Sequence, residues 1–133
     1  MSAAPTWRWI SKQALILLHD ESLVEHGGGS GLRDEGLLDS ALARAPNLAH
    51  DGEPDVAALA ASYGTGLAKN HPFVDGNKRA AFLAVGMFLY LNRYKLTATQ
   101  AEATAAMLAL AGGDLTEDQF AAWLRLHIQA RQP

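Results

Sequence analysis

The sequence predicts an all-α fold, a compact single-domain bundle of six to seven helices around a central apolar helix. Three observations predict it. Alanine and leucine are abundant, while the apolar–polar alternation of half-buried strands is scarce. Helix start and stop residues recur at helix-sized intervals. Ala80 to Leu91 form an apolar run of twelve residues. A membrane span needs about 20, so a helix enclosed by others explains the run better.

The elements follow in order. Ser11 to His26 reads as a helix, with Leu15, Leu18 and Leu23 near one stripe, ending at the loop Gly27-Gly28-Gly29-Ser30-Gly31. Asp34 is expected to cap a helix running through Ala45 and stopped by Pro46, with Asn47 to Gly52 as a loop. Pro54 suits a first helical position, and that helix should reach about Lys69. Its alanines and glycines, from Ala57 to Ala68, permit close helix–helix contact. Pro72 disfavours helix at His71, and Gly76 frees the backbone before the apolar helix, Lys78 to about Asn92. Tyr94 to Thr97 reads as extended. Thr99 with Glu102, and Thr116 with Gln119, match capping boxes. They open helices to about Ala111 and Gln129, separated by Gly112-Gly113.

Residues 1–133 fit one domain, with 1–10 as an N-terminal extension. The apolar fraction of 49% is enough for a core. The absence of cysteine excludes disulfides and thiol catalysis, and it suits a reducing cytoplasm. A net charge of −3 argues against direct nucleic-acid binding. The apolar stretch Ala14 to Leu18 is too short for an export signal, and no segment is expected to enter a membrane.

The segment from His71 to Arg79 carries the chemistry. A helix beginning at about Asn77 or Lys78 offers unpaired N–H groups and the positive end of its dipole, which favour an anion. Gly76 leaves room for close approach, Asn77 adds an amide donor, and Lys78 and Arg79 add charge in the first turn. Those cations oppose the helix dipole unless a phosphate lies between them. His71 can accept a proton from an attacking hydroxyl. Asp75 beside phosphates suits Mg²⁺, and it can also cap the following helix. Phe73 is expected to be the buried anchor of the loop. Base, metal ligand and anion cradle together equip a site for phosphoryl or nucleotidyl transfer.

His71-Pro72-Phe73-Val74-Asp75-Gly76-Asn77-Lys78-Arg79 resembles the Fic signature, HPF-x-D/E-GN-G/K-R, at every constrained position. More narrowly it resembles the death-on-curing (Doc) toxins. Leu18 to Glu21, Gly27 to Leu38 and Ser40 to Arg44 are also similar to Doc sequence in order and spacing. The resemblance covers nearly the whole chain beyond the first ten residues, which hold Trp7 and Trp9.

The resemblance implies roles. His71 would be the general base. Asp75 would hold Mg²⁺ or orient the substrate, and Gly76, Asn77, Lys78 and Arg79 would hold nucleotide phosphates. Gly27 to Gly31 would lie where the family has a flap that positions the target. His19 with Asp20 recurs in the family and reads as structural. Lysine at position 78 is the Doc residue, where AMP-transferring Fic enzymes usually have glycine, so transfer of the γ-phosphate of ATP is expected. The implied substrate is a hydroxyl of a translation factor of the elongation factor Tu type. The implied partner is a Phd-like antitoxin. No Ser or Thr has Glu four residues later, so the inhibitory helix of many Fic proteins is absent and control is expected from another chain. Two alternatives stay open: AMP transfer, and an inactive protein that acts with an antitoxin in operon repression.

Overall fold

The computed structural model describes residues 6–132, so residues 1–5 of the N-terminal extension lie outside the described part. Among the described residues there are six helices and two short strands: α1 Lys12–His26, α2 Glu35–Asp51, α3 Val56–Asn70, α4 Asn77–Leu91, β1 Tyr94–Leu96, α5 Gln100–Gly112, α6 Glu117–Leu126 and β2 Ile128–Ala130. The fold is all-α, and no helix among the described residues is long and apolar enough to cross a membrane.

The helix starts follow local chemistry. Ser11, Asp34, Asp55, Thr99 and Thr116 each accept a bond from a first-turn N–H, and the last two complete capping boxes. Each such cap contributes about 1 kcal/mol.

Four expectations need correction. Pro46 does not stop α2, which runs on to Asp51, so Asn47 to Asp51 is helix rather than loop. The proline removes one helical hydrogen bond. Packing outweighs that loss, because Ala45 is buried and Ala49, one turn on, packs against the core. Pro54 lies before α3 rather than at its first position, because Asp55 caps the helix through Ala58 N–H at 2.9 Å.

The chain after α6 is also different, since the helix ends at Leu126 instead of Gln129. The His127 ring bonds the Trp123 carbonyl at 2.8 Å. Ile128–Ala130 then pairs antiparallel with β1, Leu96 opposite Ile128 and Tyr94 opposite Ala130. The open edge of β1 thus captures a segment whose local pattern suits helix.

The most enclosed helix is α3, not the apolar α4. Eleven of its fifteen residues are buried, against six of fifteen in α4. Small residues are the reason. A Cβ on Gly66 would meet the Ala41 Cα of α2 at 3.2 Å, and one on Gly64 would meet Val85 of α4 at 3.0 Å. Neighbours therefore close on α3 from several sides, packing with α4, α2, α6 and α5. The partly exposed Phe82, Leu83 and Met87 give α4 an outer face. From the N-terminal side, Trp9 stacks on Phe88 with ring centres 5.9 Å apart, so part of the extension is bound to the core.

Candidate active site

The loop between α3 and α4 joins the C-terminus of one helix to the N-terminus of the next. Its bends require left-handed backbone at both ends. His71, the C-cap of α3, has φ 50, and Gly76, the N-cap of α4, has φ 74. Gly76 provides no side-chain cap. The first N–H groups of α4 therefore have neither a helical carbonyl nor a capping oxygen, and they face outward with the positive end of the dipole.

The loop is built inward from Phe73, which is 2% exposed. The Asn77 side chain turns back onto it: Oδ1 accepts from Phe73 N–H at 2.9 Å, and Nδ2 donates to the Phe73 carbonyl at 3.0 Å. The amide expected to meet phosphate is engaged within the loop, and what Asn77 offers outward is its backbone N–H. Below, the His19 ring lies 4.0 Å from the Phe73 ring, centre to centre. Its Nε2 donates to the Asp75 carbonyl at 2.9 Å. Burial holds the His19 pKa below the usual 6.5, although the bond to Asp75 acts the other way. The neutral ring carries its proton on Nε2 when it donates this bond.

The glycine-rich segment straps the other side of the loop. Pro72 O accepts from Arg33 N–H at 2.8 Å and Asp34 N–H at 3.0 Å, and Gly31 O accepts from Val74 N–H at 3.0 Å. Leu32 and Phe73 thus form an antiparallel bridge. Gly28 has φ 121, and a Cβ there would come within 3.0 Å of Asp75 Oδ2, so only glycine lets the strap approach this closely.

These supports leave His71, Asp75 and Lys78 exposed around one opening, with Gly76, Asn77 and Arg79 partly buried in its wall. The opening encloses about 450 Å³. Asp75 Oδ1 accepts from Gly76 N–H at 2.8 Å, while Oδ2 has only a long contact with Gly29 N–H at 3.4 Å. One carboxylate oxygen therefore remains available to a cation that completes its shell with phosphate oxygens and water. Lys78 and Arg79 also line an adjoining groove with His26, Phe82, Met107 and Leu108.

The fold thus gathers His71, Val74 and Asp75 to Arg79 at one opening, with Pro72 and Phe73 buried behind them. Sequence reasoning missed two of their supports. Arg33 donates from Nε to the His71 carbonyl at 2.7 Å and from Nη2 to the Asn70 carbonyl at 3.0 Å. No spacing signal links it to a residue 38 positions away. His19 read only as structural, and its recurrence beside Asp20 did not reveal that it lies under Asp75.

A model of the Fic/DOC family matches residues 9–89, which include both supports and the whole loop. The chain belongs to the Fic/DOC family. It is 42% identical over 77 residues to a protein named Toxin Doc from Mycolicibacterium smegmatis, covering 56% of this chain and 59% of that protein. It is 34% identical over 86 residues to Protein kinase doc of Escherichia phage P1, covering 64% of this chain and 68% of that protein. The match with the first relative therefore spans less than two thirds of its length.

Proposed function

We propose that this Fic/DOC protein is the toxin of a toxin–antitoxin pair, transferring the γ-phosphate of ATP to a protein hydroxyl. One observation carries the reading: His71, Asp75, Lys78 and Arg79 surround a single opening at the uncapped N-terminus of α4. The names Toxin Doc and Protein kinase doc, borne by two relatives, support it.

In this reading His71 takes the proton of the attacking hydroxyl. The hydroxyl oxygen bonds the γ-phosphorus while the bond to the β–γ bridging oxygen breaks, and ADP leaves. The N–H groups after Gly76, with Lys78 and Arg79, neutralise the transferring group. Mg²⁺, held by Asp75 and phosphate oxygens, would supply further charge neutralisation. Lys78 fills the place where a second phosphate would otherwise pack, which selects γ- over α-phosphate transfer. The target is proposed to be a translation factor of the elongation factor Tu type, with arrest of translation in the cytoplasm.

The proposed controlling partner is a Phd-like antitoxin. The apolar groove floored by Phe82, Met107 and Leu108 and edged by Lys78 and Arg79 suits an acidic amphipathic helix. An occupant there would cover two phosphate-binding residues.

The test uses ATP labelled at the γ- or α-phosphate, purified elongation factor Tu, and mass spectrometry of the product. Added phosphate supports the reading, and added AMP overturns it in favour of the Fic reaction. Expression without a partner should arrest growth, and His71→Ala should relieve the arrest.

A further inference from the structure

His19 is 0% exposed and lies on α1, 56 residues before its partner Asp75. A residue needed only for packing at such a place is ordinarily apolar. Histidine brings a polar atom, Nδ1, that is buried with no partner among the described residues. What it supplies in exchange is one directional bond, from Nε2 to the Asp75 carbonyl at 2.9 Å. The ring also fits closely under the loop: a Cβ on Gly76 would come within 2.9 Å of His19 Cε1.

We infer that His19 is a positioning residue, whose Nε2–H bond to the Asp75 carbonyl orients the Asp75 carboxylate and the first N–H groups of α4 toward the opening. The carbonyl is drawn inward to α1. The peptide leading into Gly76 is then fixed, and Gly76 takes its left-handed turn over the ring. The Asp75 side chain leaves the same backbone outward, where Oδ1 bonds Gly76 N–H. The His19–Phe73 contact fixes the base of the loop two residues earlier. The helix α1 thus controls the register of the site without touching a ligand.

The consequence for catalysis rests on the phosphoryl-transfer reading, but the loop placement does not, so the test has two readouts. Glutamine can place its side-chain amide where Nε2 stands, whereas leucine fills space and donates nothing. In the wild type, ¹⁵N spectra of the imidazole should show the His19 proton on Nε2. His19→Leu should shift the backbone amide signals of Asp75 to Arg79, and His19→Gln should largely keep them. In phosphoryl transfer, His19→Leu should lower kcat by ~10²-fold, the scale for reacting groups misplaced by about 1 Å. KM for ATP should change much less, and His19→Gln should recover most of the rate. An Nε2 without a proton, or a folded His19→Leu protein with unmoved loop signals, overturns the inference. If His19→Leu does not fold, the tautomer and the His19→Gln spectrum decide it, and a His19→Gln loop displaced despite a native core overturns it. A wild type that transfers no phosphate but shows the expected tautomer and loop shifts overturns the reaction and upholds the positioning role.

Discussion

Arg33 Nε donates to the His71 carbonyl at 2.7 Å, joining the strap before α2 to the residue that ends α3. The second bond, from Nη2 to Asn70 O, places a fixed cation at the negative end of α3. Arg33→Ala should cost about 1 kcal/mol of stability in urea unfolding. It should also lower the transfer rate, because the backbone under His71 loosens. Arg33→Lys should recover only part of both, since an ammonium cannot span two carbonyls as the guanidinium fork does.

His71 holds a left-handed backbone at φ 50, a conformation that disfavours any side chain. His71→Ala should reduce transfer by ~10²–10⁴-fold, the usual loss for a positioned base. His71→Gly should be equally inactive yet more stable, by roughly 1 kcal/mol, because glycine is the preferred residue of such a cap. Calorimetry alongside the transfer assay checks both. A His71→Gly protein less stable than wild type would show that the backbone there is not strained.

Lys78→Gly should lose most γ-phosphate transfer and gain some AMP transfer. The side chain lines both the loop opening and the adjoining groove. Removing it leaves Gly76 and the free N–H groups in place while opening room for a second phosphate. Parallel reactions with α- and γ-labelled ATP measure the shift, and wild-type-like γ transfer by Lys78→Gly would remove lysine from the explanation.

Two helical glycines should respond oppositely to substitution. Gly66 packs so tightly on α2 that a Cβ would lie 2.9 Å from Arg44 Cδ and 3.2 Å from Ala41 Cα. Gly66→Val should destabilise by roughly 1–3 kcal/mol through overpacking. A Cβ at Gly86 has nothing within 4 Å. Gly86→Ala should stabilise by about 0.5–1 kcal/mol through helix propensity. Thermal unfolding of the two variants provides the comparison.

Asp55 links pH to the start of α3. The Arg125 guanidinium, followed by the Ala58 N–H, holds its carboxyl below the ordinary 3.8. Since the folded pKa is the lower one, the contribution is full above 3.8 and fades as pH falls through the folded value. Asp55→Asn keeps a capping oxygen but removes the titration. The stability difference between wild type and Asp55→Asn should be constant near neutral pH and shrink as pH falls below 3.8, with a total no larger than about 1 kcal/mol for this half-exposed pair.

The sequence alone determined the helical class, the caps at Asp34, Thr99 and Thr116, and the nine-residue motif with its anchor Phe73. These depend on interactions within a few residues, or on a motif whose chemistry is written in consecutive letters. The tertiary structure decided the rest. Pro46 lies inside a helix because Ala45 and Ala49 are held by the core. Ile128–Ala130 is a strand because β1 offers it hydrogen bonds that its own neighbours do not. Enclosure of α3 rather than α4 follows from glycines that admit other helices, which composition hinted at but hydropathy ranked the other way. His19 under Asp75 and Arg33 under His71 were illegible for the same physical reason. Each is a single directional bond between side chain and backbone across 56 and 38 residues, and such a bond leaves no period or spacing in the chain until the helices have packed.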